Sequence, residues 1–161
     1  MRHYGSLNAR DLLQITLTGD ATHPSGSQEA SVDNEHISSY LREHQLQGDV
    51  LSFDIKQEVE ELQQGLSSVS DDRIAKTLVK EGLIRVTLIA LKAGAAMPEH
   101  DAPGPCTVHF MTGTAAFTSG GKSYQAGPGS ILAFDTRVAH SVTAETDCSF
   151  LLTIAMSPVR S

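Results

Sequence analysis

The chain has 161 residues, 40% of them hydrophobic, with no Trp and two Cys; that suits one domain with a real core and room for an extra N-terminal layer. Its formal charge of −7 at pH 7 is uneven: residues 1–79 carry 6 Lys/Arg against 13 Asp/Glu, and residues 80–161 carry 6 of each. The acidic half argues against a nucleic-acid surface. No apolar run reaches the roughly 20 residues that span a bilayer, and no basic-then-apolar leader opens the chain, so a cytoplasmic protein with reduced cysteines is expected.

In chain order, residues 18–34 are polar, rich in Gly, Ser, Thr and Asp, and read as a loop. His3, His23, His36 and His44 fall in this polar third with no fixed spacing and read as surface residues. A helix is predicted from Asn34 to about Gln45, with Ile37, Tyr40 and Leu41 on one face and Gly48 as its stop. A second opens at Asp54, an N-cap with Gln57 as capping-box partner. Its apolar stripe is Ile55, Val59, Leu62 and Leu66, and Gly65 is expected to end or fray it. Ser70-Asp71-Asp72 should start a shorter turn leading to Lys76. These helices are expected to lie against the rest of the fold.

From Gly82 the period changes. Leu83–Leu91 is dense in Ile, Val and Leu. Short strand-like runs follow at Cys106–Met111, Ala115–Thr118, Ser123–Gln125, Ser130–Phe134, Ala139–Thr143 and Ser149–Ile154. Gly120-Gly121 supplies the positive φ values of a tight hairpin. Many short strands broken by Gly and Pro indicate an all-β sandwich or barrel. The expected division is an N-terminal extension over 1–79, partly flexible with two or three short helices, and a β-barrel over 80–157. Cys148 reads as a small core residue.

Two histidines end glycine-led extended stretches: Gly94 leads to His100, and Gly127-Pro128-Gly129 leads to His140. The spacing Gly94, five residues, His100, with Gly113 after the next strand, then Gly129, ten residues, His140, resembles the cupin superfamily over about residues 80–156. The resemblance implies a mainly-β fold, the double-stranded β-helix or jelly-roll barrel, here with an N-terminal helical segment. It is similar to small bacterial cupins of unassigned function. The departures are specific. Ala102 stands where metal-binding cupins carry a second His, and Cys106 where they carry Glu. Thr136 and Arg137 lie where many cupins have a Pro-x-Gly turn.

What the resemblance implies at the barrel mouth is a depleted two-histidine site. His100 and His140 would be metal ligands for Zn, Fe, Mn, Ni or Cu. Cys106, which alternation points inward, is either a third ligand or a small apolar filler. His109, three residues on, should face the other way, under the helices or at a dimer contact, unless a bulge reverses it. Glu99 and Asp101 should face away from His100. Without metal, the imidazole pair could act as acid and base, as in metal-free sugar epimerases of the superfamily, where a Tyr assists; Tyr124 is the candidate here. Met97, Phe110 and Phe134 are expected to line a mostly apolar pocket with these groups. The function so implied is a small-molecule cupin, as a metal-dependent oxygenase or isomerase of a small organic molecule. The other class is a non-catalytic ligand-binding or sensory cupin without metal. The expected partners are a small molecule and a second copy of the chain, with no nucleic acid and no membrane. No phosphate-cradling loop, nucleophile elbow or Cys-x-x-Cys pair is present.

Overall fold

Period-two alternation with turns every few residues closes this chain into two facing sheets. The computed structural model describes residues 50–156. There a helix, α1 (Ile55–Ser67), precedes β1 (Arg73–Glu81), β2 (Ile84–Leu91), β3 (Ala96–His100), β4 (Cys106–Thr112), β5 (Ala115–Ser119), β6 (Lys122–Ala126), β7 (Ile131–Phe134), β8 (His140–Ala144) and β9 (Cys148–Ala155). One sheet runs β1-β2-β9-β4-β7 and the other β3-β8-β5-β6, with antiparallel pairing throughout. The helix expected over 34–45 and the four N-terminal histidines lie outside the described residues.

The two sheets close on an apolar core that includes Ile89, Leu91, Val108, Phe110, Phe117, Val142 and Phe150. A second cluster lies on the outer face of the five-stranded sheet, where Val59, Leu62 and Leu66 of α1 meet Ile74, Leu78, Leu88 and Ala90. Both faces of β2 are therefore covered, which explains its continuous buried run from Thr87 to Leu91. Gln63 fastens the helix by donating to Thr112 Oγ1 (2.7 Å) and Ser149 Oγ (2.9 Å), themselves hydrogen-bonded across β4 and β9 at 2.7 Å.

The structure corrects three expectations about elements. Residues 73–81 form strand β1 in place of a short turn, and β1 pairs with β2 along its length, so the barrel begins ahead of residue 80. Its alternation is obscured in the sequence because Lys76, on the outer face, is drawn into an ion cluster with Glu58 and Glu61 of α1, and because a bulge falls between Thr77 and Val79. Gly65 does not end α1, which runs to Ser67 with Gly65 buried inside it. The Asp54 cap forms, its carboxylate accepting from Gln57 N at 3.2 Å. The reciprocal half does not, because the Gln57 side chain donates to Glu61 instead. The Gly120-Gly121 hairpin joins β5 to β6 with φ of 55° and 75°, as the turn chemistry demands.

Candidate functional site

His100 ends β3 and His140 opens the neighbouring β8, and the two are direct register partners. An irregularity in β3 makes them so. Met97 pairs with Val142, and the next pair is His100 with His140, so two residues of β3 face one of β8. In a regular ladder Glu99 would stand opposite His140 and His100 would point away. The extra residue lies at Pro98-Glu99, where proline has no N–H to give the ladder. The bulge thus puts an imidazole, not a carboxylate, beside His140. The ring centroids are 4.5 Å apart with planes tilted by 58°.

Each imidazole is fixed in the same way. Nδ1 of His100 lies 2.8 Å from the Pro98 carbonyl oxygen, and Nδ1 of His140 2.9 Å from that of Val138. A carbonyl only accepts, so both Nδ1 atoms carry a proton, and in the neutral ring Nε2 is the nitrogen that keeps its lone pair. His140 is buried at 5% exposure and stacks on Phe134 at 4.3 Å and, more distantly, on Phe117 at 6.2 Å. Burial pushes its pKa below the ordinary 6.5; the Val138 carbonyl pulls the other way, neighbouring His100 lowers it further and Asp101 raises it. His140 is a neutral base in an aromatic wall. His100 is half-buried, more open to solvent than His140.

The rim is tied across the mouth. Arg137 Nη1 meets Asp101 Oδ1 at 3.1 Å, and the Arg137 backbone N–H donates to the Ala102 carbonyl at 3.1 Å. Ser119 Oγ donates to the Ala139 carbonyl at 2.7 Å, holding the 135–139 loop against β5. The Asp101–Arg137 contact is absent from the sequence reading. Its one signal was Arg137 standing where a glycine turn is usual.

The remaining site residues separate. Cys106 faces inward as alternation requires, but it sits in a small apolar cluster with Ala102 and Ile154, against Phe134, Leu152 and Met156. Burial pushes its thiol pKa up, so it is held as the neutral thiol. Phe110 is sealed at 1% exposure between Phe117 and Phe150 and belongs to the core instead of an open pocket wall. Met97 and Phe134 pack partly exposed against that core. His109 pairs with Ile131 and Leu151 on the alternate, outer side of β4. Tyr124 is 44% exposed on β6, opposite Phe117.

Among the described residues no group of three or more His, Cys, Asp or Glu side chains could hold a metal ion. Closed metal centres use roughly three or more protein ligands. Two imidazoles alone do not fit a closed centre. A cavity of about 520 Å³ lies away from the imidazoles, where Gln63 and Ser67 of α1 face Leu91, Lys92, Asp147 and Cys148. Its groups are already engaged. Lys92 Nζ donates to the Val69 carbonyl, Asp147 accepts from Ala93 N, and the Cys148 thiol is pushed up to about 11, chiefly by burial. The mouth, with its paired imidazoles, is the better candidate. Among the described residues no helix is long and apolar enough to cross a membrane.

No family model matches the chain, and no curated protein does. Solved structures match its fold. A cupin superfamily protein from Desulfitobacterium hafniense aligns with TM-score 0.53 and 13% identity over 55% of this chain and 82% of its own. A conserved protein of unknown function from Streptococcus pyogenes aligns with TM-score 0.52 and 22% identity over 56% and 80%. Salicylate 1,2-dioxygenase from Pseudoaminobacter salicylatoxidans, bound to gentisate, aligns with TM-score 0.55 and 16% identity over 65% of this chain and 32% of the enzyme. At such identities the likeness shows the fold: the chain adopts the cupin jelly roll.

Proposed function

We propose, from the premise of a cupin fold, that the protein binds a small organic molecule at the barrel mouth through His100 and His140. The observation that carries this reading is the pairing itself: two imidazoles at 4.5 Å, each with Nδ1 tied to a carbonyl and Nε2 left to act. The chemistry within reach is proton transfer. A neutral His140 can accept a proton from one atom of the ligand at Nε2 and, as the imidazolium so formed, return it to another, which is what an isomerisation requires, with the His100 ring beside it to hold the ligand. The non-catalytic alternative uses the same groups as hydrogen-bond acceptors only. Turnover of small hydroxy and keto acids, followed by proton exchange from solvent deuterium, separates the two. Exchange lost in both His100→Ala and His140→Ala supports catalysis, and binding without exchange supports the ligand-binding class.

A second reading is favoured by the Nδ1 bonds, which are how metal-ligating histidines are oriented. The two Nε2 atoms would hold a divalent transition metal such as Zn, Fe, Mn, Ni or Cu, with water or the ligand filling the other positions. When bound, such an ion would supply Lewis acidity at the mouth. Equilibrium dialysis against each metal tests it: one ion per chain, lost in either alanine variant, supports the reading, and no retained ion removes it. The proposed assembly is a homodimer that covers exposed strand edges, read by sedimentation against the 17.2 kDa chain mass.

A further inference from the structure

Arg137 is the one described residue other than glycine with positive φ, at 61°. A side chain there costs backbone energy that glycine would avoid, as Gly94 and Gly129 do at comparable angles. The turn therefore carries an arginine for the sake of its side chain. That side chain stands at the rim of the imidazole site: Arg137 is three residues before His140, and its partner Asp101 follows His100. The guanidinium is 60% exposed and meets Asp101 through a single nitrogen contact at 3.1 Å. A guanidinium has several N–H donors in a planar fork that matches a carboxylate two-to-two. One contact leaves most of the fork to a second acceptor from solution.

We propose that Arg137 recognises the carboxylate of a small, flat organic acid, whose apolar body lies toward the Phe134 side of the mouth and whose reactive end reaches the His100–His140 pair. Asp101 is the competitor that occupies the guanidinium when no ligand is bound. The inference rests on the mouth being the binding site and adds the ligand class. The surroundings agree with it. Phe134 is half-buried and stacked on His140, so a flat ring can extend that stack. Residues 80–161 carry 6 Lys/Arg and 6 Asp/Glu, so no net positive field draws an anion to the barrel and a fixed local cation such as this one has to supply the attraction.

The test uses two probes of one shape, benzoate and neutral benzamide, titrated into the full chain while the His100 and His140 imidazole signals are followed by NMR. Benzoate is expected to shift both signals saturably and benzamide to bind about tenfold more weakly. Arg137→Gly should lose that preference for benzoate while melting no lower than the parent, because the strained turn is relieved. Asp101→Asn should tighten benzoate binding severalfold by freeing the fork. A residue that merely braces the rim would weaken binding in both variants. Equal binding of the two probes, or an unchanged preference in Arg137→Gly, overturns the role of Arg137 and leaves the mouth site standing. Imidazole signals that neither probe moves overturn both.

Discussion

The His140 ring is neutral because it is buried against Phe134 and Phe117, and that burial couples it to stability. Its folded pKa lies below the ordinary 6.5, so the unfolded chain takes up the proton first. The contribution is fully present above about pH 6.5 and is lost as pH falls from the unfolded value through the folded one. Melting curves between about pH 8 and about pH 5 should show a decline below pH 6.5 that is smaller in His140→Gln; equal declines would contradict a buried neutral imidazole. Gly113 makes a second residue-scale prediction. Its φ is 66°, and an added Cβ would fall on the Asp147 carbonyl oxygen and within 2.6 Å of Cys148 Cβ. Gly113→Ala should cost roughly 2 kcal/mol or more in denaturant unfolding, since both the angle and the space are wrong. The two site histidines were legible in the sequence from their glycine-led stretches. Arg137 and Asp101 were not read as a pair, because only the closed mouth brings residues 36 apart in the chain to 3.1 Å.

At the scale of elements, the helix and the β3 bulge matter most. The α1 stripe was legible because Val59, Leu62 and Leu66 keep helical spacing, and all three are buried. Leu62 is fully buried in the outer cluster, so Leu62→Ala should destabilise by about 2–5 kcal/mol. Gln63→Ala should cost only about 1 kcal/mol, because Thr112 and Ser149 still bond each other. Chemical denaturation of the pair checks the ranking; a Gln63 effect exceeding that of Leu62 would mean the helix is held by polar contacts. Strand β1 was not legible because its outer face mixes apolar residues with Lys76, whose partners lie on the helix. The bulge at Pro98-Glu99 was weakly signalled by the proline. Yet it decides which of Glu99 and His100 stands beside His140.

The described residues together form a jelly roll whose aromatic core ends in two imidazoles at one rim. The resemblance to cupins fixed that architecture from the spacing of Gly94, His100, Gly113, Gly129 and His140, and the two sheets carry it out. The ligand set did not follow from spacing. Whether Cys106 joins the imidazoles depends on what packs around it, and Ala102, Ile154 and Phe134 do so. Cys106→Val should therefore leave ligand or metal affinity within about twofold of the parent and change stability by less than about 1.5 kcal/mol; a large loss of affinity would restore the thiol as a working group.

The central claim is that His100 and His140 form one unit, each ring held through Nδ1 so that Nε2 is left for the ligand. Long-range ¹H–¹⁵N NMR of the two imidazoles measures it directly. Both rings should carry a proton on Nδ1, and His140 should keep a bare Nε2 at neutral pH and take up its second proton below pH 6.5. A ring protonated at Nε2 with Nδ1 bare, or a His140 that titrates at or above pH 6.5, would contradict the account.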